Sequence, residues 1–475
     1  MRSRYFLCAG VVTIALIPQA ADAATLDGRA MSWPWALPFA GMLLSIATGP
    51  LLFPKLWHAH YGKIAFAWSL LTLLPLAAWF GTGPAAGALV HAAFAEYLSF
   101  IVLLFALYVI AGGILVTGTL RCSPWTNVSI MALGAVMASV VGTTGAAMIL
   151  IRPLIRANEP RKSSAHVIIF FIILVANIGG ALTPLGDPPL FVGFLRGVDF
   201  FWPVQHLWIQ TAIVATAVLA MFAALDFSLF AKHPPAKNKK TEDVPLGLRG
   251  KINIALIAVV VAAILMSAKW KPGIAFTMLG TAVEMQNLAR DVVLVLCALA
   301  SLRLTAAEHR SANDFTWEPI REVAILFAGI FTAIIPVMAM LQAGRGGAFS
   351  GLLTAVTAND GTPHEAAYFW LTGGLSAFLD NAPTYLVFFE LASGNARDLM
   401  GPLAGTLAAI SMGAVYMGAL TYIGNAPNLM VYAIATERGV KMPGFFAYLI
   451  WAAAILVPLF IILTLLPISP ILKLS

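Results

Sequence analysis

Two aspartates stand where an apolar chain has least room for acids: Asp187, inside GALTPLGDPP (residues 180–189), and Asp380, which opens DNAPT (residues 380–384). Asp380 lies between LSAFL and NAPTYLVFF, and exposing a charged side chain to lipid there would cost roughly 2.5 to 3.5 kcal/mol or more. Burial favours the protonated form of a carboxylate and a bound cation favours the ionised form, so two such acids have the chemistry to exchange a proton for Na+. A helix cap at a break is the alternative reading of Asp380.

The phrase around Asp187 is written twice. Residues 180–183 recur at 418–421, Gly186 as Gly424 and Pro189 as Pro427, all at an offset of 238. In the first copy Pro184, Pro188 and Pro189 remove backbone donors, and Gly179, Gly180 and Gly186 permit non-helical angles. A helix should break there, exposing carbonyls that suit a hard cation and N-terminal amides that suit an anion. Thr183 and Asp187 add side-chain oxygens to the first break; Thr421, Asn425 and Asn428 stand in the second, which Gly424 and Pro427 make. A simple kink in a packed helix is the plainer account. Two copies at one offset argue against it, each following an apolar piece interrupted by a polar tip: GTTGA at 142–146, with Thr143, Thr144 and Gly145, and DNAPT, with Asp380, Asn381, Pro383 and Thr384.

The elements that carry these motifs belong in a membrane. The chain of 475 residues is 60% hydrophobic and 10% charged, too few charges to clothe a soluble globule of this size. Its +7 net charge sits in short loops rather than on a stripe with interleaved aromatics, which excludes nucleic-acid binding and suits membrane orientation. MRSR, an apolar run and AADAA read as a signal peptide over residues 1–23, with an uncleaved first helix as the alternative. The mature N-terminus then lies outside the cytoplasm. The apolar pattern predicts ten crossings, near 33–53, 63–81, 91–120, 167–196, 206–230, 252–268, 286–302, 320–342, 401–434 and 443–468. Two re-entrant hairpins are expected at 126–151 and 366–391.

The richest basic loop, residues 231–251 with Lys232, Lys237, Lys239, Lys240, Arg249 and Lys251, goes to the cytoplasm. The order crossing, hairpin, broken crossing, crossing then occurs twice with opposite starting sides, over 91–230 and 320–468. Inverted repeats with broken helices are the architecture of secondary transporters. The expected organisation is a scaffold pair over 24–90, the two repeats, the cytoplasmic linker 231–251, and connecting helices over 252–319. The fold class is an all-α polytopic membrane protein.

Glu96 and Glu322, near the starts of the leading helices, are weaker coupling candidates, and Glu390 is read as interfacial. His58 and His60 in WHAHYGK are placed in a basic loop between helices. None of the eight histidines forms an HExxH pattern, and the three cysteines suggest neither a disulfide framework nor a metal cluster.

TPLGDPP, TYIGNAPN, GTTGA and DNAPT resemble the broken helices and hairpin tips of the ion transporter superfamily over about residues 30–470. PWALPFAGMLLSIATGPLL, WHAHYGK and FTWEPIREVAILFAGIFTAIIP look most like its NhaD-type sodium/proton antiporter and citrate-transporter branch. The resemblance implies Na+ between each tip and its broken helix, a homodimer held by the scaffold, and elevator-like movement of the transport part. By position, Thr143, Thr144, Thr183, Gly186 and Asp187 would form one half-site, and Asp380, Asn381, Thr384, Thr421, Gly424 and Asn425 the other. The Ser-Asn-Thr tip of dicarboxylate carriers is absent. The resulting expectation is an inner-membrane Na+/H+ antiporter, not an enzyme, with no cofactor and with small cations and protons as partners. Na+-coupled citrate or dicarboxylate transport is the alternative.

Overall fold

The computed structural model describes residues 26–234, 244–278, 281–358 and 361–465. The expected signal peptide and Lys237, Lys239 and Lys240 lie outside the described residues. The described chain is an all-α polytopic membrane protein, with two two-stranded ribbons in which Leu115–Thr117 pairs with Gly247–Arg249 and Ala275–Met278 with Thr281–Glu284. Large apolar side chains such as Leu44, Phe66, Leu74 and Trp79 face outward, as they must where lipid is the solvent.

Seven described helices are long and apolar enough to cross a bilayer: Trp33–Leu52, Pro54–Phe80, Thr82–Ala111, Pro124–Val141, Trp202–Lys232, Ile252–Lys269 and Phe445–Leu465. The pair Glu318–Ala333 and Ile335–Gln342, bent by 40°, makes an eighth when taken as one span. Six of the ten expected crossings are among the seven and 320–342 is the bent pair; 167–196 and 401–434 each fall into short pieces, Met285–Leu304 carries Arg290, Asp291 and Arg303, and Pro124–Val141, expected as a hairpin arm, is itself of span length. The second span also starts earlier than expected. Pro54 opens it at the first helical position, nothing breaks it before Gly81, and His58 and His60 therefore lie within the helix rather than in a loop.

Each repeat has a leading helix, a helical hairpin, a broken helix and a long closing helix. Hairpin 1 joins Pro124–Val141 to Thr143–Asn158 through Gly142, whose φ of 81° lies in the left-handed region that a side chain disfavours. Hairpin 2 joins Glu365–Phe378 to Asn381–Ala392 through Leu379 and Asp380. Broken helix 1 runs Ala165–Leu174, a tight turn Ile178–Gly180, an irregular break and Pro188–Leu195. Broken helix 2 runs Ala404–Met417, Gly418–Leu420, a break and Ala426–Glu437.

Two groups of helices result. One group, which includes the pair expected as scaffold, packs Leu37–Leu52 and Pro54–Phe80 on Glu318–Ala333, and Ile252–Lys269 and Met285–Leu304 on Leu98–Ala111. The other group holds the hairpins and broken helices, exchanged between repeats: Thr143–Asn158 packs on Ala426–Glu437, and Asn381–Ala392 on Pro188–Leu195. The base of hairpin 1 is fixed by Asp226, fully buried on Trp202–Lys232. Its carboxylate accepts from Arg161, from Asn127 at 3.0 Å, and pairs with His166 at 2.8 Å.

Candidate functional site

The backbone of each break is set by glycines too close to carry side chains. A Cβ on Gly186 would overlap the carbonyl of Gly180, and one on Gly424 would lie 2.6 Å from the carbonyl of Gly418. Each break is then tied to its own hairpin by the same bond. The Thr183 hydroxyl donates to the carbonyl of Ser139, and the Thr421 hydroxyl to that of Ala377 at 2.5 Å. The two bonds are related by the offset of 238, so the repeated phrase has a repeated three-dimensional function. The Thr143 amide adds a bond to the Gly186 carbonyl at 2.8 Å.

These ties bring Asp187 to the centre. It is 1% exposed and stands in extended backbone immediately before Pro188–Leu195. Its Oδ1 accepts from Thr143 Oγ1 at 3.0 Å and from Asn425 Nδ2 at 2.9 Å, and its Oδ2 accepts from Asn381 Nδ2 at 2.6 Å. Thr143 and Asn381 begin the second arms of the two hairpins, and Asn425 precedes Ala426–Glu437. Four helices, two from each repeat, therefore start at one carboxylate.

With their amide nitrogens committed to Asp187, Asn381 Oδ1 and Asn425 Oδ1 are buried without a hydrogen-bond partner. A buried acceptor left unpaired is unfavourable. Turning either amide would bring its oxygen to Asp187 in place of its NH2, and carboxylate and amide oxygens are the ligands a hard cation takes. No group of three or more His, Cys, Asp or Glu side chains comes together among the described residues.

Asp380 is both a cap and part of the site. Its Oδ1 accepts from the Ala382 amide at 3.1 Å, and its carbonyl from Thr384 Oγ1 at 3.0 Å, so the capping reading is correct. It also lines, with Thr143, Thr144, Gly186, Asp187 and Asn425, a cavity of about 80 Å3. Opposite these polar groups stand Leu104, Tyr108, Val323 and Phe327 of the leading helices. The cavity lies between the two helix groups, and its lining includes no lysine or arginine.

Thr143, Asp187, Asn381 and Asn425 thus meet directly; Thr144, Gly186 and Asp380 line the cavity with Thr143, Asp187 and Asn425; Thr183, Thr384, Thr421 and Gly424 shape the backbone around them. The sequence reading missed Asn177. Its Nδ2 donates to Asn428 Oδ1 at 2.7 Å, and Asn428 Nδ2 donates to the carbonyls of Gly418 at 2.9 Å and Thr421 at 3.0 Å, linking the two broken helices beneath Asp187. The signal was a lone amide in the apolar run FFIILVANIGG. The secondary candidates lie elsewhere. Glu322 accepts from Trp57 Nε1 at 2.8 Å, while Glu96 and Glu390 lie 2.7 and 3.5 Å from Arg196.

A family model described as "Putative citrate transport" matches residues 28–468. The chain is 23% identical over 330 residues to an uncharacterized transporter of Mycobacterium bovis, covering 67% of this chain and 71% of that protein. It is 24% identical over 326 residues to a 46 kDa membrane protein of Mycobacterium leprae, covering 66% and 69%. An uncharacterized transporter of Mycobacterium tuberculosis is 23% identical over 330 residues, with 67% and 71% covered.

Proposed function

This chain belongs to the citrate-transport family and is a membrane transporter, and on that premise we propose that it is a secondary transporter exchanging Na+ for protons at Asp187 and Asp380. The observation that carries the reading is the buried Asp187 carboxylate bonded by two amides whose oxygens lack a partner, at a cavity lined by no cationic side chain. A monovalent cation entering there gains a full countercharge and two neutral acceptors, and a proton on either aspartate competes with it. Na+ is the cargo or the coupling ion. The reading places the chain in the inner membrane as a homodimer with its N-terminus outside. The repeats are inverted, and the hairpin and broken-helix group moves like an elevator against the scaffold.

A second reading, Na+-coupled uptake of citrate or a dicarboxylate, is favoured by the family description and by the converging helix N-termini, which suit an anion. The test uses purified protein in liposomes with a trapped pH dye. Na+, Li+ or K+ is added under an imposed proton gradient, followed by citrate or succinate. Cation-driven pH change without carboxylate supports antiport. Silence with cations alone, together with carboxylate-dependent uptake of labelled Na+, refutes it in favour of the second reading.

A further inference from the structure

Two ion-pair clusters cross the seam between the helix groups, and they are built alike with their charges exchanged. In one, Asp314 Oδ2 lies 2.5 Å from Arg438 Nη2 and 3.2 Å from Arg152 Nε. In the other, Arg196 lies 2.7 Å from Glu96 Oε1 and 3.5 Å from Glu390 Oε2. Arg438 and Arg196 are the residues that end the second pieces of the two broken helices. Arg152 and Glu390 sit on the second arms of the two hairpins, again 238 positions apart. Asp314 and Glu96 belong to the scaffold: Asp314 just before Glu318–Ala333, Glu96 in the wide turn Ala92–Tyr97 that precedes Leu98–Ala111. One cluster shares a carboxylate between two arginines; the other shares an arginine between two carboxylates.

The clusters sit at the two ends of the seam. Leu98–Ala111, of 14 residues and so about 21 Å long, separates them. Glu96 precedes it, and Asn313, next to Asp314, donates to the carbonyls of Gly112 and Ile114 beyond its far end at 3.1 and 2.7 Å. Between the clusters the seam holds a row of cavities. The site cavity shares Phe327 with a second, and the second shares Val192 and Phe331 with a third that contains Glu96 and Arg196. Other contacts of the seam are apolar, such as Phe100 on Phe191 with ring centroids 6.5 Å apart, and being non-directional they leave its register to the charged pairs.

We propose that the two clusters are latches that hold the hairpin and broken-helix group against the scaffold in this conformation, and that both open when that group moves. The latches rest on the alternating-access reading, but their holding of the seam is measurable without any transported ion. Asp314 and Arg438 are 54% and 47% exposed, so water competes for both and the pair opens and reforms readily. Burial opposes ionisation of Asp314, yet the bond from Arg438 and the charge of Arg152 hold its carboxyl below the usual range, keeping the latch charged near neutral pH. Asp314 is also the only described non-glycine residue with positive φ, 44°, a conformation retained only where surrounding contacts fix it. The Arg196 cluster is the more enclosed of the two, its three side chains 7–21% exposed.

The test places one cysteine in the site cavity, Val323→Cys, in full-length protein with Cys8, Cys122 and Cys297 replaced by alanine and reconstituted in liposomes. The rate of maleimide labelling is read with melting temperature as a check on folding. Asp314→Asn should raise the rate several-fold, adding Arg438→Gln should raise it no further, adding Glu96→Gln should raise it again, and Asp314→Glu should restore slow labelling. Unchanged labelling in Asp314→Asn, or fully additive effects of Asp314→Asn and Arg438→Gln, would overturn the latch. Absence of any cation or carboxylate flux would instead refute the transport reading, leaving the labelling result to decide the latch independently.

Discussion

Asp187→Asn separates the electrostatic role of the central carboxylate from its structural one. Three hydrogen bonds reach Asp187, from Thr143, Asn381 and Asn425. An asparagine keeps one acceptor oxygen and places an NH2 where the other was. Asn381 and Asn425 each have an unpartnered Oδ1, so either amide can turn and accept from that NH2, and the structural loss should be on the order of 1–3 kcal/mol. The ionic loss is larger. A unit charge about 4 Å from a cation at an effective dielectric near 20 contributes roughly 4 kcal/mol, which is about a thousandfold in affinity. Purified Asp187→Asn should therefore melt within a few degrees of the parent but show no saturable cation response in the liposome pH assay. A folded variant with an unchanged half-saturating Na+ concentration would refute the assignment of Asp187 as the cation's countercharge.

At Asp380 the two roles divide by substitution. Asn caps helices as well as Asp does, so Asp380→Asn should fold normally and lose coupling, whereas Asp380→Ala should also lose about 1 kcal/mol of stability; thermal melts and flux on the same preparations decide it. Gly186→Ala forces a Cβ into the Gly180 carbonyl and should reduce stability by roughly 1–3 kcal/mol or more, with Gly424→Ala showing the same defect; normal melting of both would show that the breaks are not locked by these contacts. Removing Asp226 leaves Arg161 buried without its carboxylate, and Asp226→Ala should be destabilised by about 3–5 kcal/mol, seen as loss of monodisperse protein after detergent extraction.

The membrane class and both breaks were legible because they depend on local chemistry: apolar runs of span length, and prolines and glycines where helices cannot continue. The pairing of Thr183 and Thr421 with their hairpins was foreshadowed by the constant offset. What the sequence could not show is which side chains cross between repeats. Asp187 belongs to the first repeat, but two of its three donors, Asn381 and Asn425, come from the second, and no spacing encodes a contact between segments that distant. The span count suffered from the reverse problem: hydropathy sums over 167–196 and 401–434 as though each were continuous, while the structure divides both at the breaks that matter most. WHAHYGK looked like a loop because its polar residues cluster, yet a helix begun by Pro54 carries them without interruption.

The convergence of four helix starts on Asp187 has an electrical consequence. Each start carries the equivalent of about half a positive charge, so together they oppose the two aspartates with about the same magnitude. This eases the ionised aspartates locally, but a helix dipole has no net charge, so the empty group still carries the charge of its carboxylates. On the elevator reading, membrane voltage, which does about 2.3 kcal/mol of work on each elementary charge per 100 mV, would then act on the vacant return and hardly on a crossing whose aspartates are neutralised by the ions aboard. The voltage dependence of the transport rate would therefore show which crossing moves the uncompensated charge.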